Sequence, residues 1–145
     1  MSPSGQTILL VEDDANDVAL FRRALRKAGI ATEVQVAEDG EIAMQILQAA
    51  SPPEACGLPR IILLDLKMPR KSGLELLAWI REQPTLRHLP VVILTSSREP
   101  SDIRKAYELG ANSYLVKPIS FDQLKELIRI LHRYWFDWNE KPDLV

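Results

Sequence analysis

Short unbroken apolar runs alternate with longer stretches of helical spacing along the whole chain. Ile8-Leu9-Leu10-Val11 is the first run. It suits a strand buried on both faces and is too short for a helix. Val18, Phe21, Leu25 and Ala28 then recur at helical spacing, and Gly29 stands where that helix would stop. Val34 and Val36 mark a second, weaker strand, and Asp39 is placed to cap a helix carrying Ile42, Ile46, Leu47 and Ala50 on one face. The stretch Ser51–Pro59 holds three prolines and Gly57 and reads as irregular.

Ile61–Leu64 is the third strand. Ser72 with Glu75 three residues on is a capping-box signature for the helix with Leu76, Leu77 and Ile80. Val91–Leu94 is the fourth strand and ends at Thr95. Pro100 and Gly110 bracket a helix with Ile103, Ala106 and Tyr107. Tyr114–Val116 is a short fifth strand. Ser120 with Gln123 opens a last helix expected to run to about Trp135. Five strand–helix units of this kind predict an α/β fold: a doubly wound five-stranded parallel sheet with five helices on its two faces. Its crevice lies at the carboxyl ends of the strands.

The chain has 145 residues, 46% of them hydrophobic and 26% charged, with a formal net charge of −2. These values fit a single domain, with a core at about 7–135 and a tail at 136–145, and give no pointer to nucleic acid or a membrane surface. The one cysteine, Cys56, has no partner for an intrachain disulfide. With no apolar leader in Met1–Thr7, the expected setting is cytoplasmic.

Chemistry gathers where the strands end. The first strand leads into Glu12-Asp13-Asp14, the second into Glu38 and Asp39, the third into Asp65, the fourth into Thr95 and Ser96, and the fifth into Lys117-Pro118. Clustered carboxylates stay ionised together only if a cation joins them, and hard oxygens select Mg²⁺ or a similar divalent ion. Asp14 fits a cap for the first helix better than a metal ligand. His88, His132 and Cys56 form no zinc pattern. A metal, a hydroxyl, an ammonium and a nucleophilic carboxylate together suit a phosphoryl group.

The segments "ILLVEDD", "IILLDLKMP", "VVILTSS" and "GANSYLVKP" occur in this order from Ile8 onward. Together they resemble the receiver domain of two-component response regulators, whose fold is flavodoxin-like and CheY-like. The resemblance implies that Asp65 accepts a phosphoryl group from a sensor histidine kinase or phosphotransfer protein. It implies Mg²⁺ held by Asp13 directly, by Glu12 through water, by Asp65, and by the backbone carbonyl of Lys67. Thr95 and Lys117 would contact the phosphoryl group, Thr95 and Tyr114 would form the switch pair, and the Lys117–Pro118 peptide would be cis. The loop Ser51–Pro59, "DLKMPRKSG" and the aromatic tail are similar to small cyanobacterial phytochrome response regulators, which are phosphorylated by a light-regulated kinase.

Haloacid-dehalogenase-like phosphatases place a second aspartate two residues after the nucleophile. Lys67 stands there in this chain, which favours a signalling mark over a turnover enzyme. Lys67, Arg70 and Lys71 make a basic lip suited to an acidic kinase surface or small phosphodonor. A phosphorylation-independent adaptor on the same fold is the alternative, and it has no need of the full set of site residues.

In the last helix Phe121, Leu124, Ile128, Leu131 and Trp135 form one apolar stripe, and Leu127, Ile130, Tyr134 and Trp138 form a second. Covering one sheet face needs only the first. The tail "RYWFDW" could fold back on its own core, or the surplus stripe could mark an interface. Receivers commonly pair through the fourth helix, fifth strand and fifth helix, so a homodimer through that face is expected. With about ten residues after the last helix, output is expected through contact with a downstream protein whose identity the sequence leaves open.

Overall fold

The computed structural model describes residues 6–50, 57–68 and 71–142. Cys56, Arg70 and the first six residues of the Ser51–Pro59 loop lie outside them. The strands are β1 (Ile8–Val11), β2 (Val34–Ala37), β3 (Ile61–Leu64), β4 (Val91–Thr95) and β5 (Ser113–Val116). The helices are α1 (Ala15–Lys27), α2 (Gly40–Ala49), α3 (Gly73–Glu82), α4 (Pro100–Glu108) and α5 (Phe121–His132). All strand pairs are parallel, in the order β2-β1-β3-β4-β5. The expected fold class is the observed one.

β1, β3 and β4 are buried along their whole length, which is why they read as unbroken apolar runs and not as alternations. Alternate residues serve opposite faces. Leu9, Val11, Ile62, Leu64, Val91 and Ile93 pack with Ala43, Leu47, Leu76, Leu77, Ile80 and Ala106 from α2, α3 and α4. Ile8, Leu10, Ile61, Leu63 and Val92 pack with Phe21, Ala24 and Leu25 of α1 and Ile128 and Leu131 of α5. Burying one such side chain stabilises the fold by about 1.5–3 kcal/mol.

The local start and stop signals operate as read. Asp14 accepts from the amides of Asn16 and Asp17, Asp39 from Ile42, Ser72 from Glu75 and Ser120 from Gln123. Gly29 and Gly110 follow α1 and α4 with φ of 74° and 102°, a conformation only glycine adopts cheaply.

The chain departs from the expected pattern after His132. The α-helix ends there and Arg133–Trp138 continues as a π-turn, with Asn139 N–H donating to the Tyr134 carbonyl at 2.7 Å. The cause is packing. Trp135 and Phe136 both rest on the α1/α5 core, and Arg60 donates to the carbonyls of Trp135 and Asn139. A wider turn lets two consecutive aromatics reach that core. The tail thus folds back in part. Ile130, Tyr134 and Trp138 of the second stripe remain 57%, 53% and 74% exposed.

Candidate functional site

Strand register builds the site. Val11 pairs with Leu64, and Thr95 with Val116, so Glu12, Asp65 and Lys117 leave the sheet at nearly one level. Each is still held by a ladder bond. Glu12 N–H donates to Ala37, Asp65 N–H to Val11 and Lys117 N–H to Thr95. The chemical side chains therefore sit on main chain fixed by the sheet, the most rigid support the fold offers.

Gly73 completes the support. A Cβ at this position would lie 2.2 Å from the Asp65 carbonyl, so only glycine lets α3 begin against the turn that follows Asp65. Gly73 N–H in turn donates to Leu66 at 3.0 Å. The glycine of "PRKSG" is thus a site-shaping residue that the hydrophobic pattern gave no reason to single out. Gly40 plays a similar part for the same loop, since a Cβ there would meet the Lys71 carbonyl at 2.5 Å.

Lys117 reaches across β4 to the acids. Its Nζ lies 2.5 Å from Glu12 Oε1, 2.7 Å from Asp17 Oδ2 and 3.2 Å from Asp65 Oδ2. Asp17 is an addition to the expected set. Its signal was its place in the first turn of α1, five residues after Glu12, in a segment dense in acids. Glu12 is 4% and Asp65 9% exposed. Burial, and then the neighbouring Asp65, push the Glu12 carboxyl up to about 7 against the pull of Lys117. Burial alone would lower the Lys117 ammonium, but its bonds to Asp17 and Glu12 and the charge of Asp65 hold it above its ordinary value. One ammonium is not enough for so many carboxylates.

That imbalance is the test of a metal. Carboxylate oxygens of Glu12, Asp13 and Asp65 lie within 4.8 Å of one another. The donors are all oxygen, two are buried, and the third, Asp13, is exposed. This set fits a hard divalent cation that keeps part of its water shell. A cavity of about 490 Å³ opens above it, lined also by Asp14, Lys67, Thr95, Ser96, Arg98 and Lys117. Asp14 is spent on the helix cap, and its amide donates to Glu12 Oε2 at 3.2 Å.

Thr95 is 1% exposed and its Oγ1 accepts from Ser97 N–H at 3.4 Å. Tyr114 packs against the α2/α3/α4 core, and its hydroxyl donates to the Ser97 carbonyl at 3.0 Å. Burial raises the Tyr114 phenol. Lys67 lines the cavity mouth, while Lys71 pairs with Glu75 at 3.8 Å. Asp39 is buried as the α2 cap and does not join the cavity.

One expectation is corrected. Among the described residues no peptide is cis, so Lys117–Pro118 is trans. An X–Pro bond prefers trans by about 0.5–1 kcal/mol before tertiary context acts. Lys117 meets all three acids from this geometry, so contact with them does not require the cis form.

Known proteins resemble the chain along almost its full length. The family model for the response regulator receiver domain matches residues 8–129. The chain belongs to the response regulator receiver family. Among its relatives, the probable methanogenesis regulatory protein FilR2 of Methanothrix harundinacea is 40% identical over 137 residues, covering 93% of this chain and 86% of that protein. Response regulator Rcp1 of Synechocystis sp. is 37% identical over 137 residues, covering 94% and 93%. The crystal structure of the phosphorylated cyanobacterial phytochrome response regulator RcpA superposes with a TM-score of 0.85 at 34% identity, covering 97% of this chain and 100% of that one. The Mn²⁺-bound form of Rcp1 superposes at 0.82 with 36% identity, covering 95% and 99%. The likeness to phytochrome response regulators, expected from loops and tail, is present at full length.

Proposed function

We propose that this receiver takes a phosphoryl group on Asp65 from a phosphohistidine of a sensor kinase or phosphotransfer protein, and passes the signal on by protein contact. The observation that carries the reading is the site's charge balance. Glu12, Asp17 and Asp65 surround the Lys117 ammonium, and Asp13 joins Glu12 and Asp65 in the oxygen cluster, an arrangement completed by a divalent ion and an incoming phosphoryl group.

In the transfer, an Asp65 carboxylate oxygen attacks phosphorus. The bond from phosphorus to the donor imidazole nitrogen breaks, its electron pair stays on the imidazole, and an acyl phosphate remains. Glu12, Asp13, Asp65 and the Lys67 carbonyl are the proposed holders of Mg²⁺, which when bound supplies positive charge beside the phosphoryl oxygens. Lys117 releases part of its contact with the acids to pair with those oxygens. Thr95 donates its hydroxyl to one of them, and Tyr114 reports the change to the α4–β5–α5 face. The protein promotes only its own phosphorylation and dephosphorylation, because Lys67 stands where a hydrolytic acid would be needed. Its proposed place is the cytoplasm, and its proposed partner, a phytochrome-type light-sensing kinase, is supported by the likeness to the phytochrome response regulator RcpA.

The exposed Ile130, Tyr134 and Trp138 of the second stripe, beside a half-buried Leu127 that packs on the core, support a homodimer through the α4–β5–α5 face. A monomeric mass at micromolar concentration, with and without phosphodonor, sinks the dimer. The phosphoryl reading is tested with a phytochrome-type histidine kinase carrying labelled phosphohistidine. Label should move to the wild-type chain in Mg²⁺ and stay on the kinase when the acceptor is Asp65→Asn.

A further inference from the structure

Thr95, Tyr114 and the first turn of α4 all meet on one residue outside the proposed switch pair. Ser97 lies in the β4–α4 loop, two residues past Thr95. Its amide donates to Thr95 Oγ1 at 3.4 Å, and its carbonyl accepts from the Tyr114 hydroxyl at 3.0 Å. Its own hydroxyl donates to Asp102 Oδ2 at 2.6 Å and accepts from Glu99 N–H at 3.3 Å. The loop that joins the two proposed switch residues is thus tied down by one carboxylate in the first turn of α4.

The bond to Asp102 is the strong member of the set. A hydroxyl donating to a carboxylate at this length is charge-assisted, whereas the contact with Thr95 is long. Asp102 is half-buried and makes no ion pair with any described residue. The Tyr114 hydroxyl depends on where the Ser97 carbonyl points, and that carbonyl is oriented by the bonds that Ser97 makes to α4.

We propose that Asp102 is a positioning residue which, through Ser97, latches the β4–α4 loop in the arrangement that holds Tyr114 inward and keeps Thr95 beside Asp65. The latch biases a two-state element. With it intact, the inward state of Tyr114 is populated before any phosphoryl group arrives. Without it, the loop swings freely, and the inward state depends on the phosphoryl oxygens drawing Thr95 toward them. The inference rests on Asp65 as the phosphoryl acceptor only for that last step.

Fluorine NMR on protein labelled with 3-fluorotyrosine reads the latch. The chain has three tyrosines, and Tyr114→Phe assigns the line of interest. In the wild type without phosphodonor, the Tyr114 line should sit at its inward position. Asp102→Ala and Ser97→Ala should each lower the inward-to-outward ratio about tenfold or more, the scale of one hydrogen bond to a charged group. The double variant should go no further than Ser97→Ala, which already removes the bond to Asp102 along with that from the Glu99 amide. Asp102→Asn keeps an acceptor oxygen but loses the charge, and should fall between the wild type and Asp102→Ala. Adding Mg²⁺ and acetyl phosphate to Asp102→Ala should restore the inward line. An unmoved line in Asp102→Ala, or single effects that add in the double variant, overturns the latch. Intact mass on the same samples separates the two claims. A missing adduct on the wild type counts against Asp65 as acceptor, whereas an adduct beside an unmoved line counts against the latch alone.

Discussion

Both ends of the sheet hold a half-buried cation, and the two cations have opposite company. At the carboxyl ends of the strands, Lys117 faces three carboxylates. At the amino ends, Arg81 faces only neutral oxygens. It donates to the carbonyls of Gly110, Arg87 and Leu89 and to the Asn112 side chain, at 2.8–3.0 Å. Asn112 in turn accepts from Val91 N–H, the first residue of β4. Burial lowers the Arg81 guanidinium, yet its donors find partners in a rigid fork. The Arg81 guanidinium is fully partnered: it staples α3, β4 and the turn after α4. The upper end differs in charge: its cavity is lined by Glu12, Asp13, Asp17 and Asp65 around Lys117 and carries more acids than bases. On the proposed reading, the buried charge that serves function is the one whose balance is unfinished.

The comparison can be broken at either end. The largest effect is expected from Lys117→Gln. The rate of adduct formation from acetyl phosphate should fall by about 10²–10³-fold, the loss typical of removing one preorganised electrostatic group. Intact-mass time courses check it. Arg81→Ala should do the reverse. It leaves the part-buried carbonyls of Gly110 and Leu89 without this donor and should cost about 1–3 kcal/mol in urea unfolding, while the phosphorylation rate per folded molecule stays unchanged.

Mg²⁺ sharpens the contrast. At about ten times its dissociation constant, it should raise stability by about 1.4 kcal/mol through binding the folded state alone. That gain should survive in Arg81→Ala and vanish in Asp13→Asn, which differential scanning calorimetry can read. A smaller effect belongs to the lower end. His132 bonds Thr32 Oγ1 at 2.7 Å and stacks on Phe136 at 4.5 Å between centroids. Burial lowers its imidazole against the opposing charge of Asp137. The unfolded chain then takes the proton first. The stability His132 contributes is full above its ordinary value of 6.5 and is lost as pH falls through the folded value. Unfolding midpoints of the wild type should drop over that range more than those of His132→Gln.

Much of the upper end was legible because strand register is coarse and regular. A run of four apolar residues fixes where its strand ends, so Glu12, Asp65, Thr95 and Lys117 follow from Ile8–Val11, Ile61–Leu64, Val91–Leu94 and Tyr114–Val116. Asp17 escaped because its role depends on how α1 is rotated against β5, a tertiary quantity. Gly73 escaped because close approach of two backbones leaves no periodic trace. Arg81 and Arg60 act through main-chain carbonyls, which every residue owns, so nothing in the sequence distinguishes their partners. Asp39, which also ends a strand on that side, serves as the α2 cap expected of it, accepting from the Ile42 amide. The π-turn at Arg133–Trp138 follows from two adjacent aromatics competing for one core, which helical spacing alone does not express.

The most direct test is whether the unfinished end takes up a phosphoryl group. Wild type and Asp65→Asn are incubated with Mg²⁺ and acetyl phosphate, and each intact mass is measured before and after removal of Mg²⁺ by chelation. The expected result is a single phosphoryl adduct on the wild type, formed only with Mg²⁺ present and absent from Asp65→Asn. No adduct on the wild type, or an equal adduct on Asp65→Asn, would contradict Asp65 as the acceptor.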